Sequence, residues 1–321
     1  MITREQEQFN KVMQEITKAG SVSIYTHQNP DCDTLSCALA LRLALLSLGK
    51  SVDVYSVDPV PNTLCVLNGA TEVKLPEKKV HDLSIAVDCD GLDRIGNGMK
   101  SFLSSKSKIA IDHHKTHKRF ADITLLDIEV SACAEIIYRL LKHSNLITKE
   151  IAELLFAGII TDSGCFQFPS ATASTHMIAS ELMAYGINSG QIIYDVFKKS
   201  SKNKFILENV VLSKCKFFED DQIAIITYTE NDFNVTGTTL TDTLGTIVKV
   251  IDIDTVKIAY AISEAAPRSY KIMVRTKENI DASDIAREFG GGGHVRASGC
   301  RLNGYYEDIL EKLLKVARDR L

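Results

Sequence analysis

The sequence predicts an α/β protein: an N-terminal, mostly parallel sheet flanked by helices, followed by a smaller C-terminal α/β domain. Two patterns carry that prediction. Short β-type runs alternate with helical ones through the first half, which implies crossover connections and a parallel sheet. Apolar periodicity then lapses at Phe197–Asn203 (FKKSSKN). This places a first domain at 1–196, a linker at 197–205 and a second domain at 206–321 of the 321 residues, ordinary sizes for two domains.

The elements follow in order. Ser21–Thr26 is a short β-type run ending just before His27. A helical stretch comes next, with Leu39, Leu43 and Leu46 spaced by four and three. Ser51–Val57 alternates as a strand, Asp82–Val87 runs into Asp88, and Lys108–Ile111 runs into Asp112-His113-His114. Helices are expected from about Ala132 to Lys142 and from Lys149 to Ile160. Past the linker come a helix, strands at Gln222–Tyr228, Val256–Ile262 and Tyr270–Val274, and a short helix near Ala282–Phe289. Gly290–Gly293 closes that series.

Composition narrows the function classes. With 45% hydrophobic and 24% charged residues, the chain is neither disordered nor fibrous. Lysine plus arginine total 37 against 41 acidic residues, so a net charge of −4 supplies no global field for a long polyanion. The eight cysteines contain no C-x-x-C pair and read as reduced thiols. The start of the chain lacks an apolar leader pattern. Leu35–Leu48 is interrupted by Arg42 and falls short of the ~20 residues of a membrane span. A cytoplasmic protein without a membrane partner is expected.

Polar residues gather just past the apolar runs, where open α/β sheets place their ligands. His27, Asp31, Asp33, Asp88 and His113 could therefore meet in one crevice. Asp31 or Asp33 could equally cap the helix that follows. Adjacent His113 and His114 point different ways, so one can bind a metal while the other reaches substrate, with Asp112 orienting a ring. Asp162 follows the apolar end of a helix. Two histidines and four aspartates suit hard or borderline divalent ions such as Mn²⁺, and six groups suffice for two ions. In Gly290-Gly-Gly-Gly293-His294-Val-Arg296, backbone amides could close on an anion, or the run could be a flexible connector.

These residues resemble the DHH-family phosphoesterases with a DHH-associated C-terminal domain. The motifs occur in family order: H-x-x-P-D-x-D at 27–33, a strand-end Asp88, D-H-H at 112–114, T-D-S-G at 161–164 and G-G-G-H-x-x-A-S-G at 291–299. Within the family, the chain is similar to the small bifunctional nanoRNase/pAp phosphatases. The resemblance implies that His27 and Asp31 hold one Mn²⁺, that Asp33, His113 and Asp162 hold a second, and that Asp88 bridges. Mg²⁺ is the substitute it suggests. It makes Asp112 and His114 catalytic, with His114 on the scissile phosphate. It gives Arg275, Gly291, Gly292, Gly293, His294 and Ser298 to substrate binding, in a cleft between the domains. The chain departs from the family pattern at Cys32, where glycine is usual, at Ser36-Cys37, at His117, where asparagine is usual, and at Thr276 after Arg275. Cys32, Cys89 and Cys165 fall beside the candidate ligands, with core packing as their first reading.

The expected activity is hydrolysis of short oligoribonucleotides, linear dinucleotides and 3′-phosphoadenosine 5′-phosphate (pAp) by a water activated between two ions. Long duplex nucleic acid is not an expected partner, and a homodimer is compatible with the sequence. The alternatives are a cyclic-dinucleotide phosphodiesterase, a manganese inorganic pyrophosphatase and a non-catalytic nucleotide-binding regulator.

Overall fold

A computed structural model describes residues 3–243 and 245–321, with His294 described by its backbone alone. The chain forms two compact units, Met1–Lys199 and Ser200–Leu321.

In the first unit, strands β1 (Ser21–Tyr25), β2 (Ser51–Tyr55), β3 (Leu83–Val87), β4 (Ser107–Asp112) and β5 (Ile123–Leu126) form a five-stranded sheet ordered β2-β1-β3-β4-β5. Every neighbouring pair is parallel. The helices are α1 (Arg4–Lys18), α2 (Cys32–Ser47), α3 (Met99–Ser104), α4 (Cys133–His143), α5 (Lys149–Asp162), α6 (Ala173–Met183) and α7 (Ser189–Ile193). Side chains alternate across the sheet. Ile24, Ile85 and Val87 join the core built by α2, α4 and α5. Tyr25 and Ala86 face a smaller cluster around Phe102 of α3. The apolar stretch at 35–48 lies largely in α2, which is buried on nearly all sides. Among the described residues no helix is long and apolar enough to cross a membrane.

Helices α2 and α5 pack closely, and Gly158 permits it. A Cβ there would lie 2.5 Å from Ser36 Oγ, 2.7 Å from Asp33 Oδ1 and 2.9 Å from the Ala134 Cβ. The absent side chain thus leaves room for a candidate site residue.

The second unit holds helices α8 (Lys202–Leu212), α9 (Glu230–Thr236), α10 (Thr246–Ile251), α11 (Ala282–Arg287) and α12 (Tyr306–Arg318). Its strands are β6 (Lys216–Phe218), β7 (Ile223–Tyr228), β8 (Ile258–Ala266), β9 (Ser269–Thr276), β10 (Gly292–His294) and β11 (Ala297–Asn303). They form one six-stranded sheet ordered β10-β11-β9-β8-β7-β6. Only the β7–β8 pair is parallel. Ile285, Ile309 and Leu313 cover one face, and Leu207, Val211, Ile247 and Val250 cover the other. Helix α8 starts at Lys202, inside the stretch expected as linker. The glycine run is not a loose connector either, because Gly292 and Gly293 pair with Gly299 and Ser298.

Gly158→Ala should cost about 1–3 kcal/mol by overpacking the α2–α5 contact. Gly292→Ala, whose Cβ would meet nothing within 4 Å, should leave stability unchanged. Urea unfolding of the two variants checks this; equal midpoints would refute the close approach.

Candidate active site

The strand order reverses between β1 and β3, and open parallel sheets bind ligands beyond the strand ends at such a reversal. The chain places its polar side chains there. His27 lies just past β1, Asp88 directly follows β3, and His113 and His114 directly follow β4. Asp88 takes a left-handed φ of 57°, a conformation costly for a residue with a Cβ and one that clusters at functional sites. Asp31 and Asp33 open α2, while Asp162 is the last residue of α5 rather than a residue beyond it. A carboxylate at a helix C-terminus opposes the helix dipole, so helix stability does not explain it.

Asp88 is the centre of the group. His27 Nε2 stands 3.5 Å from its Oδ2, and His113 Nε2 stands 3.4 Å from its Oδ1. His27 also reaches Asp31 Oδ2 at 3.5 Å, and His113 reaches Asp162 Oδ2 at 3.3 Å. His27 Nδ1 lies 2.8 Å from the Gln28 carbonyl, so that nitrogen donates and Nε2 is turned to the carboxylates. Donor atoms of His27, Asp31 and Asp88 lie within 4.8 Å of one another, as do those of Asp33, His113 and Asp162, and those of Asp88, His113 and His114.

Capping and site roles coexist. Asp31 Oδ1 accepts the Thr34 amide at 3.1 Å and caps α2, while Oδ2 faces His27. Asp33 caps a different helix: it accepts the Cys133 and Ala134 amides, at 2.6 and 3.1 Å, at the start of α4. Nothing in the local spacing announces that bond across a hundred residues.

The electrostatics reflect crowding. Burial pulls the His27 and His113 cations down, but the surrounding carboxylates outweigh it and lift each to about 10. Burial alone would raise Asp88, yet His113 and His27 hold it below the usual carboxylate range. Burial and then the Asp88 charge lift Asp33 to about 7. Burial, with Asp33 and Asp88 beside it, raises Asp162 well above its ordinary value.

The residues fit a divalent cation. Asp88 Oδ1 is buried and accepts no hydrogen bond from the described residues. The 3.3–3.5 Å separations are long for charged hydrogen bonds. They match two donors at right angles on a cation, which stand about 3.0–3.5 Å apart for ~2.1–2.5 Å bonds. Mixed imidazole and carboxylate donors suit a divalent ion of hard or borderline character.

Asp112 belongs to none of those three donor groups and is bonded to histidines instead. Fully buried, it accepts His114 Nδ1 at 2.7 Å and His117 Nδ1 at 2.6 Å. The bond from His117 went unread in the sequence; a third histidine five residues past Asp112 was its only signal. Cys32 and Cys89 are buried, Cys165 is half-buried, and burial holds the Cys32 thiol up at about 12.

In the second unit, Arg275 on β9 is half-buried, and its Nη1 bonds only the Val274 carbonyl, at 3.0 Å. Burial draws its pKa down, with no carboxylate among the described residues to offset it. An uncompensated guanidinium of this kind calls for an anion. Gly291 and Gly293 let β10 lie close on β11: their Cβ atoms would come 2.2 Å from the Gly299 oxygen and 2.5 Å from the Ala297 oxygen. Ser298 is held by a bond within the unit. Its hydroxyl donates to the Ala282 carbonyl, and it is register-paired with Val274 rather than Arg275, so it serves the packing of α11. The His294 side chain lies outside the described residues.

Comparison with known proteins identifies both units. Residues 21–159 match the DHH family, N-terminal domain, and residues 220–321 match the DHHA1 domain. A Thermus thermophilus protein named bifunctional oligoribonuclease and PAP phosphatase NrnA is 28% identical over 97% of this chain and 94% of its own. A Bacillus subtilis protein of the same name is 23% identical over 92% of this chain and 94% of its own. The crystal structure of an exopolyphosphatase-related protein from Bacteroides fragilis superposes with a TM-score of 0.92 at 26% identity, covering 98% of this chain and 96% of that one.

Metal binding should release protons. With His27 and His113 each at about 10, both rings carry protons at pH 8 and must lose them to coordinate. Affinity for Mn²⁺ should therefore rise with pH between 6 and 9. Calorimetry in buffers of different ionisation enthalpy measures the release, and a pH-independent affinity would refute it.

Proposed function

The chain belongs to the DHH family of phosphoesterases, and from that premise we propose that it hydrolyses short oligoribonucleotides and linear dinucleotides to mononucleotides, and pAp to AMP. The observation that carries this reading is the buried Asp88 carboxylate between His27 and His113, left without a hydrogen-bond donor on Oδ1 among the described residues. We assign His27 and Asp31 to one cation, Asp33, His113 and Asp162 to a second, and Asp88 to both. Two Mn²⁺ ions held there, or Mg²⁺ in their place, would lower the pKa of a water and neutralise charge on the phosphoryl oxygens.

The chain's own residues have separate tasks. His114, held by Asp112, contacts the scissile phosphate. Arg275 neutralises a further phosphate of the nucleotide, and β10, an edge strand rich in glycine, offers outward amides that no side chain shields. A net charge of −4 favours short substrates over long nucleic acid, which would need an extended basic groove. The names of the Thermus and Bacillus relatives support the same substrate class.

A product assay with Mn²⁺ tests the reading, using pAp, a short 5′-phosphorylated RNA, the linear dinucleotide pApA, cyclic-di-AMP and pyrophosphate side by side. Mononucleotide from RNA or pApA together with AMP from pAp is the expected result. Turnover of pyrophosphate or of cyclic-di-AMP alone would replace it with one of those activities, and no turnover at all would leave a nucleotide-binding protein. Asp88→Ala should abolish activity and metal binding together. Arg275→Ala should raise KM about tenfold or more, the scale of one lost charged hydrogen bond, with kcat less affected. An unchanged KM would remove Arg275 from the site.

A further inference from the structure

We propose that His117 is a positioning residue of the active site: it locks the Asp112 carboxylate and, through it, the ring of His114. The inference rests on the reading of the site given above. Asp112 is fully buried at the end of β4 and has two oxygens to satisfy. Oδ1 takes the local donors of the turn: the His113 amide at 2.8 Å, the His114 amide at 3.3 Å and His114 Nδ1 at 2.7 Å. Among the described residues, Oδ2 has one donor, His117 Nδ1 at 2.6 Å. Remove it, and a buried carboxylate oxygen is left unpartnered and the carboxylate can turn about its own axis. The bond to His114 then loses its fixed direction.

The surroundings hold His117 for that single bond. Its side chain is fully buried, and its ring lies 5.5 Å from that of Phe120. The loop around it is pinned on both sides to Asp90, by Thr116 Oγ1 at 3.0 Å and by the Lys118 amide at 2.7 Å. Its other nitrogen, Nε2, is buried with no partner among the described residues. An unsatisfied buried nitrogen is a cost, and pure packing would favour an apolar ring beside Phe120. The residue is instead one that can donate from a defined position to Oδ2. A buried carboxylate that takes two imidazole donors, one of them exposed to the site and the other sealed in the core, is an orienting device.

His117→Leu and His117→Asn separate this role from packing. The asparagine amide can still donate to Oδ2, whereas leucine fills space without donating. Mn²⁺ affinity of the metal-free protein, followed by the EPR signal of unbound Mn²⁺, and kcat and KM on a substrate the wild type turns over are the readouts. His117→Leu should lose about 10–100-fold in kcat or in Mn²⁺ affinity, with KM changed far less. His117→Asn should recover to within about threefold of the wild type. A hydrogen-bonded imidazole proton seen by NMR in the wild type should disappear in both variants. Wild-type kcat and metal affinity in His117→Leu, or equal losses in the two variants, would overturn the proposal. Should His117→Leu fail to fold, a hundredfold loss in a His117→Asn protein of wild-type melting temperature would also overturn it. An inactive wild type would instead count against the proposed function, and the Mn²⁺ affinities and NMR signals would still decide the role of His117.

Discussion

One buried carboxylate organises the first unit. Asp33 stands in the opening turn of α2 and bonds the first two amides of α4. Helix α4 has no side-chain cap of its own, since Ala132 occupies its N-cap. The dipole and open amides of α4 therefore stabilise an anion that also belongs to the candidate metal site. Gly158 on α5 completes the constraint by bringing a third helix against the same carboxylate. Three helices converge on Asp33, so its position is set by packing before any ligand arrives.

Around it lies a charge arrangement that the fold alone leaves incomplete. Asp31, Asp33, Asp88 and Asp162 converge on two imidazoles, and the cluster is partly neutralised by holding protons: His27 and His113 are lifted to about 10 and Asp33 to about 7. Exchange of protons for metal is thus the natural reaction of the site, and it connects affinity to pH. Asp88 fits the same account, because its left-handed backbone turns a carboxylate from the end of β3 toward histidines from two neighbouring strands.

Much of this was legible in the sequence for a definite reason. Strands of a parallel sheet are buried on both faces, so they read as apolar runs, and the polar residues just after each run mark the crevice. His27, Asp88 and His113 were found that way. What was not legible is the direction of individual atoms. Asp31 divides its two oxygens between a helix cap and His27, so the capping and ligand readings were never exclusive. Asp33 reaches Cys133, a pairing only the folded chain creates. The run Gly290–Gly293 has no intrinsic strand preference, and its strand is imposed by pairing with β11. Ser298 sits within the glycine motif, yet alternation along β11 turns it to the face opposite Arg275.

The D-H-H triplet illustrates how one turn can serve three purposes. The left residue, Asp112, closes β4 and accepts from the rings of His114 and His117. The middle residue, His113, directs Nε2 toward Asp88 and Asp162. The right residue, His114, is held through Nδ1 by the first. The two rings do not diverge as expected from their adjacency: their centroids lie 4.7 Å apart, and His113 Nε2 and His114 Nδ1 stand 3.4 and 3.5 Å from the same Asp88 Oδ1. The buried Asp112 accounts for why the triplet begins with an acid: its Oδ1 accepts the amides of both histidines as well as the His114 ring, fixing backbone and side chain together. An asparagine there would turn one of its two oxygens into an N–H donor. That group would face either the amides of His113 and His114 or the ring of His117, and one of those bonds would be lost.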